Sequence, residues 1–367
     1  MNKIITSRQI ICAVIVMSLT MIHIHIPKSS AKIVGSAGYI SIIIGALIAL
    51  LTTYCVYLIM KKFPGYNVYD ILKILLGTFL AKLIMVLTIL WAGLNVITTL
   101  HYHSLIEQST LMPFSPDSFI YFIMLALSAY CLYKGSKVAM RISELTLTLF
   151  LLLFTGLMLI GLSNFNVINL LPVTFYDTAN IIKASPTSFS IFGLIIFALF
   201  YADKLNKPQK SFKPYAFYML TVFLFAFFIT IVTFGVQGAP LAATYNLPFN
   251  ALVQRSSLFN LFERLEAFIL FPTFISDFVQ IVFFMSAIFL SIKWIFGLNK
   301  IKYSAIPIFI SIYILALLLE KTPLTIVDIY NYYVVWINAG FEFILPIIII
   351  IMAFIRRNYV EAVLQED

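Results

Sequence analysis

Stretches such as YISIIIGALIALLTTYCVYLIM (39–60) recur through this chain, each followed by a polar turn such as KKFPGYN (61–67). A helix needs roughly 20 apolar residues to cross the hydrocarbon core of a bilayer. Ten runs answer to that description: 8–27, 38–60, 74–106, 117–133, 140–162, 187–203, 214–235, 262–290, 303–319 and 333–355. The third and eighth exceed a simple span and are expected to tilt or project beyond the bilayer. The chain is 62% hydrophobic and only 11% charged, against about 25% charged residues in a soluble globular domain. It carries more apolar surface than a water-facing fold can hide. The expected fold class is an all-α polytopic membrane protein, one transmembrane domain spanning 1–367, with no long soluble domain.

Basic residues set the orientation, because cytoplasmic loops collect Lys and Arg. With the N-terminus in the cytoplasm, six of the 24 basic residues (Lys28, Lys32, Lys183, Arg255, Arg264 and Lys321) face the other side and 18 lie inside. Both termini are then cytoplasmic. The same distribution explains the formal charge of +9 by basic loops against anionic lipid headgroups, with no need of nucleic acid. The first run is followed by Pro27 and Lys28 rather than by a small-residue cleavage site, so it is expected to remain as a helix. Cys12, Cys55 and Cys131 have no metal-type spacing and read as packing residues.

Polar residues inside a membrane are expensive and mark candidate sites. The first cluster is MIHIHIPKSS (21–30). Pro27 removes a backbone donor and disfavours helical geometry at Ile26, so the first helix either breaks here to line a cavity or simply ends. His23 and His25 would point to different sides of a helix but to one side of an extended strand. Two histidines are too few for a structural zinc site, and hydrogen-bonding or pH-sensitive roles suit them better. The second cluster is Asn95, Thr98, Thr99 and Tyr102, at i, i+3, i+4 and i+7 on one helical face, with His101, His103, Ser104 and Glu107 beside them. The alternative there is ordinary interhelical hydrogen bonding. The third is FERLEAF (262–268), where Glu263, Arg264 and Glu266 make a gate, a proton-coupling site or an interfacial ion pair. The fourth is Asn338 and Glu342, spaced to share a face, with Glu342 deep in an apolar run and in need of a partner or a proton. No P-loop, GxGxxG, HExxH or nucleophile elbow is present, so no enzyme and no cofactor is expected.

These motifs resemble, in order, those of the spore germination permeases (the GerAB type). ITSRQIICAVIV (5–16) with a proline closing the span, KKFPGYNVYDILKILLG (61–77), KGSKVAMRISELT (134–146), NLLPV (169–173), LNKPQK (205–210) and ERLEAF (263–268) carry the similarity. The family belongs to the amino acid/polyamine/organocation superfamily. The resemblance therefore implies a five-plus-five inverted repeat (about 8–162 and 187–357) with broken first and sixth helices. It also implies a pocket for a small-molecule germinant, the spore inner membrane as location, and an A-type membrane subunit and a C-type lipoprotein as partners. Against the family pattern, Thr20 and Ile22 replace a glycine-rich turn before the proline. Leu194, Ile195 and Ile196 follow Phe192 and Gly193 where an acidic residue is common, and no tryptophan lies near Pro272–Phe274.

The expected function is a transporter-like subunit of an endospore germinant receptor, with a retuned pocket. A secondary amino-acid or solute permease, proton-coupled through Glu342 or a histidine, and a scaffold subunit with a vestigial pocket are the alternatives. The ligand site is expected around His23, His25, Ile26, Asn95, Thr98, Thr99, Tyr102, Phe192 and Gly193. Non-helical backbone is expected near 26–29 and near Gly193, facing each other, with His25, Asn95, Thr99 and Phe192 lining one cavity.

Overall fold

The computed structural model describes residues 5–110, 112–205, 211–255, 267–298, 305–320 and 330–366. Among them every one of the ten apolar runs contains helix. In chain order come α1 (Ser7–Ile33), α2 (Tyr39–Lys62), α3 (Val68–Leu76), α4 (Thr78–Thr110), α5 (Asp117–Lys134), α6 (Ser136–Gly161) and α7 (Thr178–Phe192). A 3₁₀ turn, Gly193–Ile196, leads into α8 (Phe197–Phe200). There follow α9 (Lys213–Gln237), α10 (Ala239–Thr244), α11 (Pro248–Arg255), α12 (Ala267–Phe296) and α13 (Ala305–Glu320). The last span is built from a π turn (Tyr330–Val334), α14 (Val335–Ala339), a second π turn (Gly340–Ile344) and α15 (Leu345–Ile355), before α16 (Arg357–Glu366).

Eight of these helical stretches are long and apolar enough to cross a membrane. The other two expected spans are α5, with a charge at each end, and the shorter apolar helix Ile306–Leu319. The outer surface is apolar as well as the core. On α4, Phe79, Leu83, Leu87 and Leu90 all face outward at helical spacing, the pattern of a helix solvated by lipid rather than water. At 33 residues, α4 is about 50 Å long, well beyond a hydrocarbon core of about 30 Å.

Local chemistry starts and stops these helices. Thr6 and Gln9 form a reciprocal cap on α1, with Thr6 N–H donating to Gln9 Oε1 at 3.1 Å and Gln9 N–H to Thr6 Oγ1 at 3.3 Å, so two otherwise orphaned donors are satisfied. Asn67 caps α3 by accepting from the Asp70 N–H at 3.0 Å. Gly77 and Gly135, at φ +87° and +100°, end one helix and begin the next in a single residue, a conformation that a Cβ would oppose.

Helix α1 lies at the centre. It packs on α6, α7, α9, α10 and α12 and is buried throughout its apolar window. It neither breaks nor ends at Pro27: the helix is continuous to Ile33, which corrects both sequence expectations. Proline leaves the His23 carbonyl without its helical donor. Within a helical bundle, neighbours and Ser/Thr side chains support the freed backbone. The Ser30 hydroxyl one turn on donates to the Ile26 carbonyl at 2.6 Å and lies 3.3 Å from that of Pro27, and the neighbours that enclose α1 hold the helix through the proline.

The second expected break is a tightening rather than an unwinding, since Gly193–Ile196 stays helical as 3₁₀. Nor do the two places face each other. The Pro27 region reaches α7 earlier, through Ser29 Oγ and Thr187 Oγ1 at 2.9 Å. The 3₁₀ turn instead follows the Ile191 carbonyl, which accepts from Ser18 Oγ at 3.3 Å.

Candidate functional site

A small cavity opens between α1, α4 and α12. Its walls are Thr20, Met21, Ile24 and His25 from α1, Thr98, Thr99 and Tyr102 from α4, and Gln280 from α12. The α1 and α4 residues repeat at i, i+1 and i+4, so each helix presents one face. The volume is about 10 Å³, room for the centre of roughly one water molecule.

The threonine hydroxyls donate into their own helices. Thr20 bonds the Val16 carbonyl at 3.2 Å, Thr98 that of Leu94 at 3.1 Å and Thr99 that of Asn95 at 2.7 Å. They therefore face the cavity as acceptors only. Gln280 is different, because its side-chain oxygen and nitrogen are both buried without a hydrogen-bond partner. Buried polar groups are nearly always paired, so an amide that offers donors and acceptor into a cavity is a natural contact for a polar guest. His25 closes the cavity from one side. Its ring stacks on Tyr330 at 3.4 Å and meets Tyr102 edge-on at 4.5 Å.

Because α1 is helical throughout, His23 and His25 point to opposite sides. His23 leaves the cavity and packs edge-on against Phe150 and Phe154 of α6, at 6.0 and 5.2 Å, while its Nδ1 lies 3.3 Å from the Leu19 carbonyl. Ile26 also points away, into the main apolar core.

The polar stripe on α4 divides. Thr98, Thr99 and Tyr102 reach the cavity. Asn95 instead cross-links α4 to α14: its Nδ2 donates to Asn338 Oδ1 at 2.9 Å and its Oδ1 accepts from Asn338 Nδ2 at 3.1 Å. Trp91 Nε1 donates to the same Asn338 oxygen at 2.8 Å.

A second polar locus lies at the 3₁₀ turn. Tyr218 of α9 donates its hydroxyl to the Phe192 carbonyl at 2.8 Å and lies 3.0 Å from Ser18 Oγ. Glu342 fills the space left by the missing side chain of Gly193: a Cβ there would lie 2.6 Å from Glu342 Oε2 and 2.7 Å from its Cβ. Both carboxyl oxygens of Glu342 are buried without a hydrogen-bond partner. Asn338 meets α4 while Glu342, in the π turn that follows α14, meets Gly193. Of the four residues expected around one cavity, His25 and Thr99 are there, whereas Asn95 and Phe192 belong to these two other contacts. Glu263, Arg264 and Glu266 lie outside the described residues.

Gln280 and Tyr330 were not singled out from the sequence. Gln280 carried a usable signal, an uncharged polar residue within the apolar run SDFVQIVFF (276–284). Tyr330 had none, since interfacial tyrosines are common near span ends.

Comparison with known proteins gives the family. The sequence profile of the family described as "Spore germination protein" matches residues 4–324. Spore germination protein KB of Bacillus subtilis (strain 168) is similar at 21% identity, covering 96% of this chain and 95% of that protein. Spore germination protein YndE of the same organism is similar at 22% identity, over 72% of this chain and 76% of that protein. The match over residues 4–324, in a chain that folds as a multi-pass bundle of apolar helices, places it in the spore germination permease family.

Proposed function

We propose that this chain is the transporter-like membrane subunit of an endospore germinant receptor, and that the cavity between α1, α4 and α12 takes a small polar germinant. The observation that carries the reading is the buried, unpartnered amide of Gln280 facing His25, Thr98, Thr99 and Tyr102 across that cavity. The germinant stabilises the state in which the cavity is open to it, and only a difference in affinity between two states can drive such a shift. The A-type membrane subunit and the C-type lipoprotein are the proposed partners, and the spore inner membrane the proposed location, with both termini in the cytoplasm. The charge asymmetry supports that orientation. A cysteine at exposed Ser211 should then be labelled only from the cytoplasmic side, and one at exposed Thr174 only from the opposite side.

The test is the dose–response of germination in Gln280→Leu and Thr99→Leu spores at normal protein level. A raised half-maximal concentration, or an altered germinant preference, supports the reading. Unchanged sensitivity and preference in both variants favours the scaffold role. A second reading, a proton-coupled permease, is favoured by Glu342, a buried carboxyl without a hydrogen-bond partner against Gly193. Uptake of labelled solute into proteoliposomes, lost in Glu342→Gln, would decide for it.

A further inference from the structure

Next to Tyr102 in α4 and one turn before Gln280 in α12, these two helices meet through a buried ionisable pair that no role above uses. His103 Nδ1 lies 2.8 Å from Asp277 Oδ2, both side chains almost fully enclosed. The edge of the pair is open in the chemical sense: His103 Nε2 and Asp277 Oδ1 are buried without a hydrogen-bond partner. Glu107, one turn along α4, places Oε1 3.9 Å from His103 Nε2 and is the more accessible of the three. On the other side Gln280 follows Asp277 by three residues, one turn along α12, and its amide faces the cavity. The sequence of groups Glu107, His103, Asp277, Gln280 thus runs from the end of α4 to the cavity wall.

We propose that His103 and Asp277 form a proton-binding site, with Glu107 as the group that exchanges protons with it and Gln280 as its link to the cavity. The pair shares one proton between Nδ1 and Oδ2 and so carries a net charge of minus one. Transfer of a proton from the Glu107 carboxylic acid to His103 Nε2 makes an imidazolium–carboxylate pair of zero net charge and leaves Glu107 as carboxylate, which then takes a proton from solvent hydronium. The 3.9 Å gap exceeds hydrogen-bond reach, so a bridging water or a rotation of the flexible Glu107 side chain completes the transfer. Such a charge change inside a membrane bundle alters the interaction between α4 and α12, the two helices that share the cavity.

The other titratable groups nearby are engaged elsewhere. From α5, Asp117 bonds Ser104 and Gln108 while Tyr121 bonds His101. From α1, His25 stacks on Tyr330, and Lys28 donates to Asn246 at 2.7 Å. From α13, Tyr313 donates to the Ser118 carbonyl. The charges of α6 lie near its start, where Glu144 meets Arg8 of α1. Phe274 packs on the His103 ring at 5.3 Å. Among the described residues, Glu107 is the charged side chain that approaches the pair.

The site itself is tested without any germinant; only its link to the cavity rests on the function proposed above. The chain has four histidines, so ¹⁵N-histidine NMR of the protein in nanodiscs, assigned with His103→Gln, resolves their titrations. His103 should change protonation state over the pH range in which the protein stays folded. Asp277→Asn should weaken its proton affinity about tenfold or more, since one unit of midpoint is a factor of ten, and Asp277→Glu should restore it. Glu107→Gln should weaken it by a smaller factor. A His103 signal fixed in one state across that range, or a midpoint unmoved in Asp277→Asn, overturns the proposal. If Asp277→Asn does not yield folded protein, Glu107→Gln decides, and an unmoved midpoint there overturns it. A normal His103 titration together with unchanged germinant sensitivity in the Gln280 variant would instead sink the cavity reading alone.

Discussion

Pro27 in α1 and Gly193 at the end of α7 are both residues that weaken helices, and the bundle treats them in opposite ways. At Pro27 the helix runs on to Ile33, enclosed by its neighbours and in contact with α7 through Ser29 and Thr187. At Gly193 the backbone tightens to 3₁₀, and the carbonyls before it are taken by side chains, Ile191 by Ser18 and Phe192 by Tyr218. The missing group explains the contrast. Proline lacks one donor, and a helix packed by its neighbours on every side runs on without it. Glycine lacks a side chain, and the vacancy admits the buried carboxyl of Glu342. What packs against a segment decides its conformation here more than the segment's own propensity does.

Gly193→Ala breaks the comparison hardest. The new Cβ would meet Glu342 at 2.6 and 2.7 Å, and one of those contacts is to the Glu342 Cβ, which cannot swing away as a terminal oxygen can. Overpacking of this kind costs about 3 kcal/mol. It should lower the thermal midpoint of the purified protein in nanodiscs. Glu342→Ala in the same chain should recover part of the loss, a coupling that a double-mutant cycle reads directly. Additive effects would mean that Glu342 does not occupy the space beside Gly193.

The spans were legible because they depend on little beyond run length and hydropathy. The opposite directions of His23 and His25 followed from helical periodicity once the helix was granted. Pro27 was misread because the rule for proline comes from helices whose freed carbonyls face water, whereas α1 is enclosed on every side. The spacing of Asn338 and Glu342 placed them on one helical face, whereas the π turn at Gly340–Ile344 has no signature in the residues. Asp277 and Gln280 were legible in principle: both interrupt an apolar run by the same criterion that flagged Asn95. The more conspicuous acid–base–acid start of that span, Glu263 to Glu266, lies outside the described residues.

Pro27→Ala tests the other side of the contrast and should have the opposite sign. The helix is already formed there, so alanine restores a donor to the His23 carbonyl, a gain of about 1 kcal/mol. The freer unfolded chain offsets about 0.5 kcal/mol of that. The thermal midpoint should hold or rise slightly, and germination should keep its dose–response. A clear loss of either would mean that the proline maintains an interrupted backbone in the working protein.

The smallest effect separates the two regions by their contacts with α7. Ser29 meets only a side chain there, Thr187, at 2.9 Å. Ser18 meets both the Tyr218 hydroxyl and the Ile191 carbonyl. Ser18→Ala therefore strips the side-chain partner from a backbone carbonyl beside the 3₁₀ turn, although that carbonyl keeps the Gly193 N–H and Tyr218 keeps its bond to the Phe192 carbonyl. Hydrogen bonds between membrane helices contribute about 0.6 kcal/mol on average. Ser18→Ala should lose about that much, and Ser29→Ala less, since the Thr187 hydroxyl it abandons can turn to its own helix. Thermal midpoints of the two variants, measured side by side, check the order. Equal losses would show that the carbonyls at the 3₁₀ turn are no more dependent on outside partners than those of the continuous helix.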